Sequence, residues 1–323
     1  MKWFLRIAGV LIAVLVVLFL VFRTPDTDPE EMRAKYGGPP SQFVTIASGL
    51  DVHLRDEGTG EGLPIVLLHG SNADLHTWEP WVERLRKAHR VIRFDQVGHG
   101  LTGPDPQSDY SRANFASDIA EVLDALGVER AIIGGNSMGG KHALAFAVGY
   151  PERVAGLILV DASGAPMPEE EDDGDEDTGN IGFTIARTPG INAIVEQITP
   201  RPLIRQSLEE SVSNQAVVTE EVVDRYWELL RYPGNRAATM GRFSTPYDGL
   251  TESEIASIGA PTLILWGDED RLIPVSAGRW LDDTMPDSEL VVYSGIGHLP
   301  HEEAPEDTLE AVETWLANLK VTN

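Results

Sequence analysis

The segment Gly135-Asn136-Ser137-Met138-Gly139 sets a nucleophilic side chain between glycines two residues to either side. It follows the apolar run Ala131 to Gly134 and precedes a helical stretch, the strand–turn–helix order of a nucleophile elbow. A turn that tight has no room for bulky side chains at 135 and 139. It would strain Ser137, project its hydroxyl, and aim the Met138 N–H, at the start of a helix, toward a developing oxyanion. A serine hydroxyl needs a base, and the base needs an orienting acid. Both are expected later in the chain, the acid before the histidine. Trp266-Gly267-Asp268-Glu269-Asp270 leaves one apolar run and Gly295-Ile296-Gly297-His298 leaves the next, where open α/β sheets place functional loops. His298, in a glycine-flanked loop, is the expected base; His301, three residues on, competes with it but reads as a surface neighbour. Asp270 is the expected acid, Asp268 a turn cap, and Asp161, at the end of the run Gly156 to Val160, a third option for the acid.

Composition narrows the alternatives. With no cysteine in 323 residues, thiolate nucleophiles, disulfides, Cys-based zinc sites and iron–sulfur clusters are excluded. The charge, 25 basic against 51 acidic residues, is −26, so the phosphate-neutralising surface that nucleic-acid binding requires is missing. Eight carboxylates stand in the nine residues from Glu169 to Asp177, a run that reads as a solvated loop. The remaining excess of acid is spread along the chain and bears on solubility.

To hold the three side chains, the chain needs strands that end at them. Ile65 to Leu68, Arg90 to Phe94, Ala131 to Gly134, Gly156 to Val160, Thr262 to Trp266 and Glu289 to Tyr293 are near-continuously apolar, as buried parallel strands are. Trp81 to Ala88, Ser111 to Leu126 and Gly140 to Gly149 have helical periodicity between them, which predicts an α/β fold with a doubly wound, mostly parallel sheet. The alternation breaks from Ser163 to about Leu250. Amphipathic stretches near Phe183 to Ile198, Leu203 to Ser213, Glu220 to Leu230 and Asn235 to Phe243 predict a helical insertion there. Its apolar residues, including Ile181, Phe183, Ile185, Tyr226 and Trp227, are read as core before pocket lining.

At the amino end, Ile7 to Phe22 are sixteen consecutive apolar or small residues. Extending back to Trp3 with only Arg6 interrupting, they would make a helix of about 30 Å, a bilayer span. The run is too long for a signal-peptide h-region and lacks a small-x-small cleavage site, so an uncleaved transmembrane signal anchor is expected. Lys2 and Arg6 precede it, and Asp26, Asp28, Glu30 and Glu31 dilute the arginines after it, which puts the N-terminus in the cytoplasm and the rest of the chain outside the cytoplasm. Pro25, Pro29, Gly37, Gly38, Pro39 and Pro40 mark a linker. The expected organisation is anchor 1–23, linker 24–41, core 42–162, helical cap 163–250 with the acidic loop, and core again 251–323.

Taken in order, His69-Gly70, Asp95-x-x-Gly98-x-Gly100, Gly135-x-Ser137-x-Gly139-Gly140, Trp266-Gly-x-x-Asp270-x-x-x-Pro274 and Gly295-x-Gly297-His298 resemble the α/β-hydrolase family in its single-cap subgroup, over about residues 42 to 320. The resemblance implies an oxyanion hole made by the amides of Met138 and Ser71, with His69 and His99 architectural and Lys141 and His142 packing or surface residues. It implies hydrolysis of carboxylic esters through an acyl-enzyme on Ser137, with no cofactor and no metal. The partners it implies are a small-molecule acyl substrate and, through the anchor, the membrane. A serine at the elbow departs from the family's epoxide hydrolases and haloalkane dehalogenases, which use aspartate. Gly-Asn-Ser-Met-Gly-Gly also resembles the elbow of hydrolases that cleave carbon–carbon bonds in aromatic ring-fission products. Those follow the histidine with tryptophan and have a longer glycine-rich oxyanion loop, where this chain has Leu299 and Ser71-Asn72-Ala73. A non-catalytic binding protein on the same fold is the remaining alternative.

Overall fold

The computed structural model describes residues 2–60, 62–165, 197–245 and 249–319. Its centre is an eight-stranded sheet in the order β1-β2-β4-β3-β5-β6-β7-β8. The strands are β1 (Gln42–Thr45), β2 (Asp51–Glu57), β3 (Ile65–Leu68), β4 (Val91–Phe94), β5 (Ala131–Asn136), β6 (Val154–Val160), β7 (Thr262–Gly267) and β8 (Ser288–Tyr293). β2 runs antiparallel to both β1 and β4; the other pairings are parallel. All six expected strands form, as β3 to β8. Every residue of β3 to β7 is buried, which is why their sequences carry no alternation.

β8 departs from the expectation of a buried strand. It is the sheet edge, with Glu289 and Val292 exposed, and only its inward residues pack on the core. The strands β1 and β2 are additions. The charged end of β2 disguises it, and the charges are matched in the fold: Asp56 pairs with Arg90 at 2.7 Å and Glu57 with Arg93 at 2.8 Å.

Helices cover both faces of the sheet. On one lie α4 (Arg112–Ala125) and α5 (Met138–Gly149), whose Phe115, Ile119, Leu123, Leu144 and Phe146 join the larger core cluster. On the other, Trp78 and α3 (Glu79–Leu85) pack with Leu309 and Val312 of the C-terminal helix, Pro305–Asn318. Between β6 and β7 the described residues form only helices: α6 (Arg201–Ser211), α7 (Glu220–Leu230), α8 (Asn235–Ser244) and the short α9 (Glu252–Ala256). The acidic run, Ile181, Phe183, Ile185 and most of the stretch Phe183 to Ile198 lie outside the described residues.

The expected linker is instead a strap folded onto the cap. It contains a second helix, α2 (Pro29–Tyr36): Asp28 accepts the N–H groups of Glu30 and Glu31, and Pro29 opens the first turn. Proline read as a breaker is here an N-terminal helix residue. Met32 packs with Leu101, Leu229 and Tyr232, while Arg236 donates to the Thr24 carbonyl at 2.9 Å and to Asp26 at 2.6 Å. Ahead of the strap, α1 (Lys2–Phe22) is a single helix of 21 residues whose described side chains are exposed. Those side chains are continuous only over residues 9–22, and among the described residues no helix is long and apolar enough to cross a membrane.

One core group works against stability. Asp118 of α4 is buried with an unpartnered Oδ2. Burial, then the charges of Glu121, Asp105 and Asp109, push its carboxyl up to about 7. Because its folded value lies above its unfolded one, its full contribution is present only below the unfolded value and is lost as pH rises from about 4 through 7. Asp118→Asn is therefore expected to raise stability at pH 8 by about 2 kcal/mol and to change little at pH 4, read from urea midpoints at the two pH values.

Candidate active site

Ser137 sits between β5 and α5 with φ +52° and ψ −118°, a conformation that side-chain-bearing residues rarely adopt. The surroundings enforce it. A Cβ on Gly135 would lie 2.3 Å from the Gly139 backbone, and one on Gly139 would lie 2.2 Å from the Leu68 carbonyl oxygen. Ser137 N–H donates to the Val160 carbonyl at 3.0 Å, and its own carbonyl accepts the N–H groups of Lys141 and Ser163. Both ends of the residue are thus fixed while the side chain faces a cleft.

In this cleft Ser71, Ser137 and His298 stand together with Ile204, Leu208, Tyr226, Leu230, Leu272 and Leu299. Among the described lining residues there is no arginine or lysine. Tyr226 is accordingly both buried and pocket-lining, whereas Trp227 is tied to the cap by its Nε1–H, which donates to the Thr199 carbonyl at 2.7 Å.

His298 and Asp270 come together as expected. Nδ1 of His298 and Oδ2 of Asp270 are 2.7 Å apart, and both residues are buried. Asp270 Oδ1 accepts the N–H groups of Leu272 and Ile273 at 2.8 and 3.1 Å. Burial alone would raise the Asp270 carboxyl; the His298 ring beside it, with these donors, holds it below its ordinary value. Asp268 ties the two loops together, accepting the Gly295 N–H at 2.7 Å. Ligand atoms of Asp161, Asp270 and His298 lie within 4.8 Å of one another, the one such group among the described residues. Within it, Nδ1 of His298 and Oδ2 of Asp270 are already bonded to each other, an arrangement that fixes the ring's orientation.

His69, His99, His142 and His301 are all buried. His69 Nε2 accepts the Gln96 N–H at 3.0 Å, and its Nδ1 lies 2.8 Å from the Gly70 carbonyl, which fixes the loop carrying Ser71. His142 stacks on Phe115 at 3.8 Å, Lys141 holds the turn through its N–H, and His99 is buried against His69. His301 is not the surface neighbour its loop position suggested. It is fully buried, 2.9 Å from Thr77 Oγ1 with its ring tilted against Trp78 at 4.3 Å, it does not line the cleft, and burial lowers its ring to about 3.

Three contributors escape sequence reading. Glu303, buried behind the histidine loop, accepts the N–H groups of Ser213, Asn214, Gly297 and Leu299. It thereby locks the His298 loop to the end of α6, where the His298 N–H also donates to the Ser211 carbonyl. Asn136, inside the elbow, donates from one amide to the carbonyls of Val160 and His298, both at 3.1 Å. Arg242 donates to Ser71 Oγ and Met138 Sδ at 3.1 and 2.8 Å. Its guanidinium places positive charge behind the two residues whose amides flank the serine, and burial lowers it only to about 10.

The fold and this site together make the chain a member of the alpha/beta hydrolase fold family, whose profile matches residues 64–305, and a hydrolase. It is similar to the 2-hydroxy-6-oxo-2,4-heptadienoate hydrolase of Pseudomonas putida, 29% identical over 283 residues, 85% of this chain and 95% of that one. A 2-hydroxymuconate semialdehyde hydrolase of Pseudomonas sp. strain CF600 is 29% identical over 276 residues, 83% of this chain and 90% of that one. Among solved structures, a bacterial membrane phospholipase A superposes with a TM-score of 0.73 at 26% identity, covering 99% of each chain. The expected family and enzyme class stand. The esterase expectation holds only at the level of hydrolase, and the curated relatives bear the names of the carbon–carbon hydrolases, the reading ranked second on sequence.

Proposed function

We propose that this protein is a serine hydrolase of carboxylic esters with apolar acyl groups. Ser137 Oγ attacks the ester carbonyl as His298 takes its proton, and Asp270 orients the ring and stabilises its cation. The Met138 and Ser71 amides, with Arg242 behind them, stabilise the oxyanion. The alcohol leaves with the proton from His298, and water then hydrolyses the acyl-enzyme by the same path. The observation that carries the ester reading is the lining of the cleft, in which seven apolar or aromatic residues stand beside Ser137 and, among the described lining residues, there is no arginine or lysine. The names of the carbon–carbon relatives specify dienoate and muconate substrates, whose carboxylates would be costly to bury without a cation, and Arg242 beside the cleft is already engaged by Ser71, Met138, Asn72 and Thr239.

The carbon–carbon reading is kept as the second because the curated relatives favour it over most of the chain. Initial rates of the purified protein on nitrophenyl esters of increasing chain length, beside absorbance decay of a vinylogous 1,5-diketone, separate the two. Faster turnover of medium-chain esters is expected, and a preference for the diketone would reverse the order.

The helix Lys2–Phe22 is proposed as the membrane anchor, with the catalytic part outside the cytoplasm. Its exposed apolar side chains need a cover, and the resemblance to the membrane phospholipase extends over it. Protease added to intact spheroplasts should remove the C-terminal part; full protection would sink this topology.

A further inference from the structure

Asp161 is a carboxyl group with no stated duty in the mechanism, yet it occupies a costly position. It directly follows β6, has no exposed surface, and adopts φ +42°, which few residues other than glycine, asparagine and aspartate tolerate. Oδ1 accepts the Gly267 N–H at 3.1 Å, but Oδ2 finds no donor although it is buried. What it faces is the carboxyl of Asp270: an oxygen of each lies within 4.8 Å of the other and of the His298 ring. Two buried carboxylates this close repel, and a proton on one of them both removes the repulsion and supplies the donor that the orphaned Oδ2 lacks.

Asp270 is bonded to the His298 ring and accepts two backbone N–H groups, all of which favour its ionised form. Asp161 has one backbone donor, and the nearby charge of Glu303 opposes a second negative charge there. Burial and the Asp270 charge accordingly raise Asp161 well above the usual carboxylate range.

We propose that Asp161 is a positioning residue of the triad, whose neutral carboxyl donates its proton in a hydrogen bond to Asp270 and fixes the rotation of that carboxylate against His298. No proton leaves the pair during turnover; the His298 imidazolium forms against its single charge. The proposal rests on the serine-hydrolase reading of the site.

The test is the pair Asp161→Asn and Asp161→Ala in the full chain. An asparagine amide can accept from Gly267 and donate to Asp270, and asparagine tolerates the same backbone conformation. Asp161→Asn should keep kcat within about 3-fold of the wild type, and Asp161→Ala should lower kcat about 10- to 30-fold with KM little changed. Without the donor, Asp270 stabilises the imidazolium more strongly, so the acid limb of the kcat–pH profile should move to higher pH in Asp161→Ala and not in Asp161→Asn. Equal losses in both variants would mean that a negative charge is needed at 161, and no loss in either would mean that no positioning occurs; each overturns the proposal.

Should Asp161→Ala fail to fold, the wild-type minus Asp161→Asn infrared difference spectrum at pH 7 must show the carbonyl band of a neutral carboxylic acid. Its absence also overturns the proposal. Labelling of the wild type by a fluorophosphonate checks the serine reading by itself, since the infrared band does not depend on Ser137 being the nucleophile.

Discussion

Ser137→Ala is expected to lower kcat on ester substrates by roughly 10⁴- to 10⁶-fold while leaving KM within a few-fold. The size follows from the role: the nucleophile is lost, while the cleft, the His298–Asp270 bond and the oxyanion donors remain. What holds the elbow is backbone, namely the Ser137 N–H on Val160 and the Lys141 and Ser163 N–H groups on its carbonyl, so the variant should melt close to the wild type. Steady-state kinetics beside a thermal melt would check both halves. A variant that kept its rate would end the serine mechanism, and one that lost its fold would make the rate uninformative.

Gly139→Val is expected to have the largest effect on folding. A Cβ at 139 would stand 2.2 Å from the Leu68 carbonyl oxygen and 2.7 Å from that of His69. Both are backbone atoms, in the strand and loop that carry Ser71 toward the elbow, so no side chain can swing away to relieve the clash. The α5 helix would have to lift off β3, at a cost of at least about 4 kcal/mol, a large share of the roughly 5–15 kcal/mol that holds an ordinary domain folded. The expected result is little or no soluble folded protein. Gly149→Val is the control, because nothing lies within 4 Å of a Cβ built there and only helix propensity changes. Comparing soluble yield and urea midpoint for the two variants would expose a close packing that is only nominal, since they would then behave alike.

Much of the site was legible because its chemistry is local. The elbow reads from glycines that backbone contacts require at 135 and 139, and Asp270 and His298 read from loops leaving buried, wholly apolar strands. What stayed hidden acts across distance. Glu303 gathers four N–H groups from two loops about 85 residues apart, and no spacing rule marks a glutamate for that work. β2 was masked because Asp56 and Glu57 look like solvated residues until Arg90 and Arg93 are found beside them. His301 misled for a related reason: beside a loop histidine it looks exposed, yet the Trp78 ring and Thr77 that bury it come from more than two hundred residues earlier. The strap helix was obscured by Pro29, which terminates helices in most positions and opens this one after the Asp28 cap.

Asp161 illustrates a different limit. Sequence offers it as a rival acid to Asp270, whereas the structure brings both carboxyls together around His298 and makes the choice one of protonation state. Two carboxyls separated by more than a hundred residues become one functional unit only once β6 and β7 lie side by side.

The most direct measurement is the mass of the enzyme trapped during turnover. The full chain is mixed with an activated medium-chain ester, quenched in acid within the first turnovers, digested, and the peptides weighed. The account predicts an added acyl group on the peptide containing Ser137, absent from the Ser137→Ala variant. Ester hydrolysis at an undiminished rate with no acyl adduct at Ser137, or with the adduct on another residue, would contradict it.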